Sequence, residues 1–440
     1  MTTVDKVLHA RWVIPVNANR DVLENHAVVV HEGKVLAVLP SDEARAQYQP
    51  AQEYNLNQSA LIPGLINMHG HAAMSLFRGM ADDLPLMTWL NDHVFPAEGK
   101  WVSEAFVEDG TRLAIAEMIR CGTTTFSDNY FFPEVAAKVV KESGVRAQLA
   151  VPIIDFPTPW GSGPDEHIEK GMKLWQEYQG DDQVLICFGP HAPYTLSNAP
   201  IEKIVQLAND NQILIQMHVH ETQVEVDGEI EKHGNRPIAR LKELGMMGPH
   251  VQCVHMTALD EDDINTIVES GAHVMHCPES NLKLASGFCP VHELQERGVN
   301  VTLGTDGAAS NNDLDMLGEM RTAAQLAKAV AQNAEALPAY EALALSTING
   351  AKSMGREDEL GSIEVGKQAD IAAIDLGGLE AQPVFDPVSQ IVYATTRNQV
   401  SDVWVAGKQL LANRELTTIS ATDVAAAASE WRNKIVADRG

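Results

Sequence analysis

The chain has 440 residues, of which 45% are hydrophobic and 21% are charged, an ordinary balance for a globular protein that argues against disorder. Its 60 acidic residues outnumber its 32 Lys and Arg residues and give a formal charge of −28. Such a charge repels phosphate backbones and anionic lipids, which argues against a nucleic-acid binder or a peripheral membrane protein. The length suits one large barrel or two to three domains.

The composition also predicts a cytoplasmic location. No apolar run approaches the roughly 20 residues that a membrane span needs, and Met1–Lys6 does not begin a secretory signal. The cysteines are odd in number and form no CxxC pair: Cys121, Cys187, Cys253, Cys277 and Cys289. We therefore expect buried, reduced thiols.

The first sixty residues have the pattern of β-strands. Short β-branched runs occur at Val13–Val16, Ala27–His31 and Lys34–Val38, and turn residues separate them. The pattern leaves no room for a long helix in this part of the chain.

The middle of the chain alternates apolar runs of strand length with amphipathic stretches. The runs are Ala60–Met68, Thr123–Ser127, Ala147–Ile154, Val184–Gly189, Ile213–Met217, Val251–Val254, His273–Met275 and Val301–Gly304. The helical stretches include Glu104–Arg120, Pro133–Ser143, Ile201–Asn209 and Asp260–Ser270. Nearly all-apolar strands that alternate with helices indicate a parallel sheet covered by helices. Eight such units predict a (β/α)8 TIM-like barrel, an α/β fold.

The ends of these runs carry polar residues of one kind. A His or Asp follows seven of the eight runs: His69 and His71, Asp128, His191, His218, His255, His276 and Asp306. In a barrel of this type the chemistry lies at the carboxyl ends of the strands. A single His in such a place is usually a structural hydrogen-bonding residue, but seven strands with the same feature predict a functional site.

The segment after Asp306 is first helical and then β-like. Leu314–Val330 and Pro338–Met354 have helical spacing, whereas Gly361–Asp370, Ile371–Ile374, Gln390–Ala394 and Val400–Val405 have strand patterning. A final helix is expected at Ala421–Ala437. We expect the late strands to pair with the N-terminal ones in a small β-sandwich. The predicted division is 1–60 for the N-terminal part of the sandwich, 61–358 for the metal-dependent barrel, and 359–440 for the C-terminal part with the last helix.

The motif His69-Gly-His71 predicts a metal site. Residues i and i+2 of an extended segment point the same way, so both imidazoles can hold one cation. The same spacing makes His218 and His220 equivalent candidates, and spacing alone does not choose between them. Asp306, at the end of the last run, adds a carboxylate beside the first strand when the barrel closes. Three His and one Asp with an open position suit Zn²⁺, one per subunit, with Fe²⁺ or Mn²⁺ as alternatives.

Several motifs resemble those of the amidohydrolase superfamily. They are Ile62-Pro-Gly-Leu-Ile-Asn-Met-His-Gly-His71, His218-Val-His-Glu221, Val254-His255, Leu303-Gly-Thr-Asp306 and the C-terminal signature Gly361-Ser-Ile-Glu-Val-Gly-Lys-Gln-Ala-Asp370. The resemblance covers essentially the whole chain and implies His69, His71, His218 and Asp306 as ligands of one metal. It makes His220 structural. Members with two metals use a bridging carboxylated Lys after the fourth strand, where this chain has His191.

Further motifs resemble the branch of the superfamily that deaminates adenosine-type nucleosides. They are Met68–Met74, Gly189-Pro-His-Ala-Pro-Tyr194, Pro278-Glu-Ser-Asn-Leu-Lys-Leu284 and Gly304-Thr-Asp-Gly307. The resemblance implies a zinc-dependent aminohydrolase in which a water that the metal activates attacks the ring carbon that bears the amino group. Glu221 is expected to carry the proton to ring N1 as the general acid/base. His255 and Asp306 are expected to hydrogen-bond the attacking water and accept its proton.

The same resemblance implies the residues that bind the substrate. Glu98 matches a carboxylate that binds the ribose hydroxyls, and His191 matches a His that contacts the substrate. Close relatives often carry an Arg in the loop after the third strand, near the 5′ substituent, but here Phe156–Pro164 has no Arg or Lys. An Arg there can pair with the carboxylate of homocysteine. The absence leaves 5′-methylthioadenosine, whose 5′ end is apolar, and adenosine as better candidates, and we expect 5′-methylthioadenosine to be preferred over S-adenosylhomocysteine.

Other readings of the sequence give different expectations. A deaminase or hydrolase of a free heterocycle, such as guanine or a triazine, shares the metal ligands, but its substrate offers no ribose for Glu98. A metal-free scaffold is expected to have lost ligands, and all four are present. A cytidine-deaminase fold needs a PCxxC motif, which the chain lacks. The expected partner is a small nucleoside, without nucleic acid or membrane. The sequence leaves the oligomeric state open, although homo-oligomers are common among such enzymes.

Overall fold

The computed structural model describes residues 1–438. Its strands are β1 Thr2–Val13, β2 Leu23–His31, β3 Lys34–Pro40, β4 Tyr48–Pro63, β5 Leu65–Asn67, β6 Thr123–Asn129, β7 Arg146–Ile153, β8 Val184–Pro190, β9 Ile215–Val219, β10 Val251–His255, β11 His273–His276, β12 Val301–Leu303, β13 Ile371–Asp375, β14 Val400–Val405, β15 Lys408–Ala412 and β16 Glu415–Leu416.

The α-helices are α1 Ser41–Gln47, α2 Leu86–Thr88, α3 Phe95–Trp101, α4 Glu104–Arg120, α5 Pro133–Ser143, α6 Pro164–Glu177, α7 Asn198–Asn211, α8 Gln223–His233, α9 Pro237–Glu243, α10 Glu261–Ser270, α11 Pro278–Lys283, α12 Val291–Glu296, α13 Met316–Ala331, α14 Ala339–Leu345, α15 Ile348–Ser353, α16 Pro387–Tyr393 and α17 Ala421–Asp438. Short 3₁₀ turns and one π turn (Trp89–Val94) connect some of them.

Strands β5 to β12 form one parallel sheet in chain order. A backbone hydrogen bond from Met68 N to Leu303 O (2.8 Å) joins β5 to β12 and nearly closes the sheet into a barrel. The helices between the strands begin and end at residues that favour such boundaries. For example, the Asp260 side chain accepts the backbone N–H of Asp263 at the start of α10, and Gly271 ends that helix with a φ of 72°. The predicted (β/α)8 barrel is therefore confirmed.

Seven of the eight apolar runs match barrel strands to within two residues at each end. The first run, Ala60–Met68, is the exception, because it divides at Gly64. Residues up to Pro63 belong to β4 of the other sheet, and the barrel begins with β5. A Cβ at Gly64 would lie 2.2 Å from the Thr124 side chain, so the change of sheet takes place where only glycine fits.

Both ends of the chain build the second sheet. Its strand order is β16-β15-β14-β13-β4-β1-β2-β3, so the C-terminal strands join the N-terminal ones through the β13–β4 pair, as predicted for a unit built from both ends of the chain. The β1–β4 pair is parallel and the other neighbours are antiparallel. Strand β1 occupies Thr2–Val13 and ends where the predicted run Val13–Val16 begins, because Pro15 has no N–H to continue the ladder.

Three predictions for the C-terminal part were wrong. Gln390–Ala394 lies in helix α16, which starts at Pro387 after the Asp386 carboxylate caps the Val388 N–H. The predicted helix Pro338–Met354 is two helices, because the hydroxyls of Ser346 and Thr347 donate to carbonyls four residues earlier and end α14. Gly361–Asp370 contains no strand. The final helix was predicted correctly.

A buried ion pair joins the barrel to the C-terminal segment. Arg146, the first residue of β7, donates from Nε to Asp370 Oδ2 (2.7 Å) and from a terminal nitrogen to Asp182 O (2.6 Å). Asp370 also accepts the Ala406 N–H at 2.7 Å. Asp370 ends the Gly361–Asp370 signature, so the structural role of that motif is to dock the second sheet against the barrel.

Breaking this pair should destabilise the protein strongly. For Arg146→Met we expect a loss of about 3–5 kcal/mol in the free energy of unfolding, because the Asp370 carboxylate stays buried without its cation. Urea unfolding measures the change. Lys173→Met is the matched control, since its pair with Glu169 is about 70% exposed on both sides and water screens it. A midpoint shift no larger than that of the control would contradict the docking role.

Two observations relate to the predictions of reduced cysteines and of a chain without a membrane span. The five cysteines are unpaired and buried, as expected. Within residues 1–438 no helix combines the length and apolarity that crossing a bilayer requires.

Candidate active site

The predicted metal ligands converge at the carboxyl ends of the barrel strands. His69 Nε2 lies 3.1 Å from His218 Nε2 and 3.6 Å from Asp306 Oδ1, and His71 Nε2 lies 3.3 Å from the same oxygen. Ligand atoms at the corners of a zinc tetrahedron, each about 2.0–2.1 Å from the ion, are separated by about 3.3 Å. These three separations are close to those of a tetrahedral site, and His and Asp donors suit Zn²⁺. The ligand atoms form two groups that share His69, one with His71 and Asp306 and the other with His218 and His255.

The other nitrogen of each imidazole fixes which way the ring presents its lone pair. His71 Nδ1 lies 2.7 Å from Asn129 O, and His218 Nδ1 lies 2.7 Å from His191 O. A carbonyl oxygen only accepts, so each Nδ1 carries the proton. The free lone pair of each Nε2 then points into the cluster, as in most metal sites built from His.

Asp306 is held in place at both carboxylate oxygens. Its Oδ2 accepts the hydroxyls of Ser280 (2.6 Å) and Ser310 (3.0 Å), and its Oδ1 accepts the Gly307 N–H (2.7 Å). The residue has a φ of 61°, an unfavourable conformation that the surrounding contacts impose. Gly304 allows the backbone just before Asp306 to lie against His69, because a Cβ at position 304 would be only 2.6 Å from His69 N.

The electrostatics of the cluster favour a cation. Burial and the neighbouring His71 lower the pKa of His69 to about 3, so this imidazole is neutral and has a lone pair that can bind a metal ion. Burial lowers the pKa of His71 as well, but the Asp306 carboxylate outweighs it and raises that pKa to about 9. The carboxylate thus attracts positive charge to the point where the ligand atoms meet.

His220 is turned away from the cluster. Its Nδ1 lies 2.9 Å from Ala258 O and its Nε2 accepts the Ile238 N–H at 3.1 Å. Both nitrogens are therefore engaged by the backbone, and the residue adopts a φ of 54°. Of the two candidates that spacing left open, His218 is the one that lies with the other ligands.

Glu221 and His255 face each other beside the cluster. His255 Nε2 lies 3.8 Å from Glu221 Oε2, and His255 Nδ1 lies 2.8 Å from Asn281 Oδ1. Burial raises the pKa of Glu221, with His255 acting against it and Asp306 adding to it. The Glu225 carboxylate accepts the Glu221 N–H at 2.7 Å, which fixes the backbone here. A carboxyl group in this environment is suited to proton transfer.

One cavity contains the cluster and the predicted substrate residues. Glu98, His191 and Glu221 line it together with the metal ligands His71, His218 and Asp306. Burial raises the pKa of Glu98 to about 7, whereas Tyr130 and His71 lower it. Burial lowers the pKa of His191 to about 4, so its ring is neutral. The structure therefore brings together Glu98, His191, Glu221, His255 and the four predicted ligands, whereas Asp128 and His276 of the strand-end pattern do not line the cavity.

Most of the remaining wall of the cavity is apolar, although Asn129, Tyr130, Thr158 and Tyr194 also line it. The apolar part consists of Met74, Leu86, Trp89, Leu90, Val94, Phe95, Phe131, Ile154, Phe156 and Leu284. Among the described residues no Lys or Arg lines the cavity. The loop after the third barrel strand contributes Phe156, Pro157, Thr158 and Pro159, which agrees with the absence of a basic residue from Phe156–Pro164.

Sequence reasoning missed several residues of the site. Tyr130 and Phe131 follow Asp128 directly and line the cavity. The strand-end pattern could have identified them, because they lie where the chemistry of a barrel is expected. Gln216, two residues before His218, contacts His69 from inside the barrel. The sequence feature that could have identified Gln216 is an amide side chain within the apolar run that precedes His218.

Known proteins resemble this chain over its whole length. The model of the amidohydrolase family matches residues 60–410. A protein of Saccharophagus degradans named 5-methylthioadenosine/S-adenosylhomocysteine deaminase is 51% identical over 438 residues, which are 100% of this chain and 98% of the relative. A 5′-deoxyadenosine deaminase of Methanobrevibacter smithii is 42% identical and covers 83% of this chain and 84% of the relative.

A solved structure gives the same result. The crystal structure of an adenosine deaminase from Xanthomonas campestris with bound zinc superimposes with a TM-score of 0.98, at 47% identity and 99% coverage of both chains. The barrel, the converging His and Asp side chains and these full-length matches agree with one another. The chain belongs to the amidohydrolase family.

Proposed function

We propose that the protein is a zinc-dependent aminohydrolase that deaminates an adenosine-type nucleoside to the inosine analogue and ammonia. The observation that carries the proposal is the convergence of His69, His71, His218 and Asp306 at one cavity, with Glu221, an acid of raised pKa, beside them and a second buried carboxylate, Glu98, in the cavity wall. Relatives that bear nucleoside-deaminase names and match 83–100% of the chain support it.

The ligands in this proposal are His69, His71, His218 and Asp306, one metal per subunit. When bound, zinc supplies a water acidic enough to act as the nucleophile near neutral pH. Glu221 delivers a proton to ring N1, and a buried carboxyl group of raised pKa suits that task. His255 and Asp306 orient the attacking water and accept its proton. The proton held by His255 and Asp306 then passes to the amine, the bond between the ring carbon and the amine breaks to release ammonia, and the proton of the added hydroxyl returns to Glu221 as the ring carbonyl forms.

Glu98 binds the ribose in this account. A carboxylate can accept a hydrogen bond from each of two neighbouring hydroxyls, and Glu98 is buried in the wall of the cavity. His191, which directly follows β8, contacts the substrate from the cavity wall, and its Nδ1 lies 3.2 Å from Thr195 Oγ1. We assign 5′-methylthioadenosine as the preferred substrate, because the apolar wall suits a thioether and offers no cation for an amino-acid carboxylate.

The role of Glu98 has a direct test. For Glu98→Gln we expect kcat/KM for 5′-methylthioadenosine to fall about 10- to 100-fold, the effect of one weakened charged hydrogen bond of about 1.5–3 kcal/mol. Steady-state kinetics at equal zinc content measures it. Glu104→Gln, an exposed acid at the start of α4, is the control. An unchanged kcat/KM, together with turnover of guanine, would instead favour an enzyme for a free heterocycle.

The preference for the 5′ group is tested on the wild-type enzyme. We expect kcat/KM for S-adenosylhomocysteine to be at least about 10-fold below that for 5′-methylthioadenosine, because its charged tail finds no partner in the cavity. Parallel assays with both substrates give the ratio. A ratio near or below one would overturn the assignment.

We also propose a cytoplasmic location and a small-molecule partner without nucleic acid or membrane. The buried, unpaired cysteines and the charge of −28 support these assignments. Residues 1–60, 61–358 and 359–440 remain our proposed domain division.

A further inference from the structure

The interior of the barrel contains a layer of buried amides directly beneath the metal cluster. Gln148 of β7, Gln216 of β9 and Gln252 of β10 are each fully buried. Gln216 Nε2 lies 2.8 Å from Gln252 Oε1, and Gln148 Nε2 lies 2.7 Å from the same oxygen. Three buried glutamines in the centre of a barrel need a reason, because apolar side chains usually fill this space.

The carbonyl of Met68 fixes the orientation of the Gln216 amide. Gln216 Nε2 lies 3.0 Å from Met68 O, a group that only accepts, so the nitrogen must occupy this position. The oxygen of the same amide then faces His69, with Oε1 3.0 Å from Nδ1. His69 must therefore donate from Nδ1, which leaves its Nε2 lone pair free toward His218 and Asp306.

His69 differs from the other two His ligands in how it is held. Backbone carbonyls of Asn129 and His191 accept from Nδ1 of His71 and His218. For His69 the acceptor is a side chain, that of Gln216, and a substitution can remove it. The orientation of one of the three imidazoles thus depends on a residue that lies outside the cavity.

We propose that Gln216 is a positioning residue that sets the affinity of the site for zinc by fixing the tautomer and direction of the His69 ring. The inference rests on the zinc site of the proposed function. Removing a hydrogen-bond partner of a metal-bound His lowers metal affinity about 10- to 100-fold. Because Gln216 touches no substrate, its loss acts on the metal and leaves the walls that bind the nucleoside unchanged.

The test measures zinc affinity of the full chain by competition with a chromogenic chelator. We expect Gln216→Met, which keeps the length of the side chain but removes the acceptor, to bind zinc about 10- to 100-fold more weakly than the wild type. Gln216→Asn, which is too short to reach both Met68 O and His69, should show the same loss and covers the case in which Gln216→Met does not fold. Gln216→Glu keeps an acceptor for Nδ1, and its fully buried carboxyl group, protonated on the other oxygen, can donate to Met68 O, so this variant should restore the affinity to within a few-fold.

Gln148→Met is the matched control. It removes an equally buried amide from the same layer, but Gln148 contacts Ser127 and Gln252 and does not contact His69. We expect zinc affinity within about twofold of the wild type, whatever the change in melting temperature. The visible spectrum of the cobalt-substituted protein should change in Gln216→Met and stay the same in Gln148→Met.

The outcomes separate this inference from the proposed function. Unchanged zinc affinity in a folded Gln216→Met or Gln216→Asn variant overturns it, and so does an equal loss in Gln148→Met, which would indicate a general effect on the core. A wild-type protein that binds no zinc would instead refute the metal site of the proposed function. Loss in both Gln216 variants with recovery in Gln216→Glu establishes the positioning role.

Discussion

Replacing Glu221 with Gln should lower kcat for deamination about 10²- to 10⁴-fold, the contribution expected of a general acid/base, while the zinc content stays unchanged. Gln has the same shape but neither delivers nor accepts a proton at pH 7. Glu221 is buried beside His255 and outside the set of converging ligand atoms, so its loss should not release the metal. Steady-state kinetics and metal analysis of the same preparation measure both quantities.

The control for this variant is Asp227→Asn, an exposed acid of the following helix. It should keep the wild-type kcat. The assignment of Glu221 fails if Glu221→Gln retains more than about one tenth of the wild-type kcat at full zinc content, since proton transfer would then have to come from another group.

Replacing Asp306 with Ala should remove both zinc and activity. The carboxylate is the only anionic group among the converging ligand atoms of the described residues, and its charge draws a cation to the site. We expect zinc content well below one per chain and a fall in kcat/KM of about 10³-fold or more, the equivalent of several kcal/mol of metal stabilisation. Metal analysis after dialysis and kinetics without added zinc measure the effect.

Asp128→Asn provides the matched control for a buried carboxylate near the site. Asp128 accepts the Ala72 N–H at 2.7 Å and lies outside the ligand cluster. This variant should keep its zinc after the same dialysis. Full zinc retention in Asp306→Ala, or equal loss in Asp128→Asn, would show that Asp306 is not the anionic ligand.

The barrel could be predicted from the sequence because its strands are covered on both faces. Such strands are continuous apolar runs, and their spacing along the chain reports the alternation with helices. The hydrophobic pattern gave wrong secondary structure where residues outside the apolar run determined the backbone conformation. Gln390–Ala394 is β-like in composition, yet Pro387 and the Asp386 cap start a helix there. Run Ala60–Met68 gave no sign that Gly64 changes sheets, since both halves are equally apolar.

The site could be predicted to the extent that its residues lie next to strand ends. His69, His71, His218 and Asp306 do so, and the structure brings them together. Spacing did not decide between His218 and His220, because the answer depends on the Ala258 carbonyl and the Ile238 N–H, which reach His220 from elsewhere in the chain. Gln216 was missed for a similar reason. Its role depends on Met68 and His69, which directly follow β5, and on Gln252 of β10, and no local pattern reveals these contacts.

The central claim is that zinc at this cluster is needed to deaminate an adenosine-type nucleoside. The most direct measurement follows ammonia release and the ultraviolet change from amino- to oxo-purine with 5′-methylthioadenosine, on the same protein before and after zinc is stripped and restored. We expect equimolar ammonia and inosine analogue from the zinc-loaded protein, none from the stripped protein, and recovery on adding zinc. Turnover by the stripped protein, or no ammonia from any adenosine-type nucleoside with zinc bound, would contradict the account.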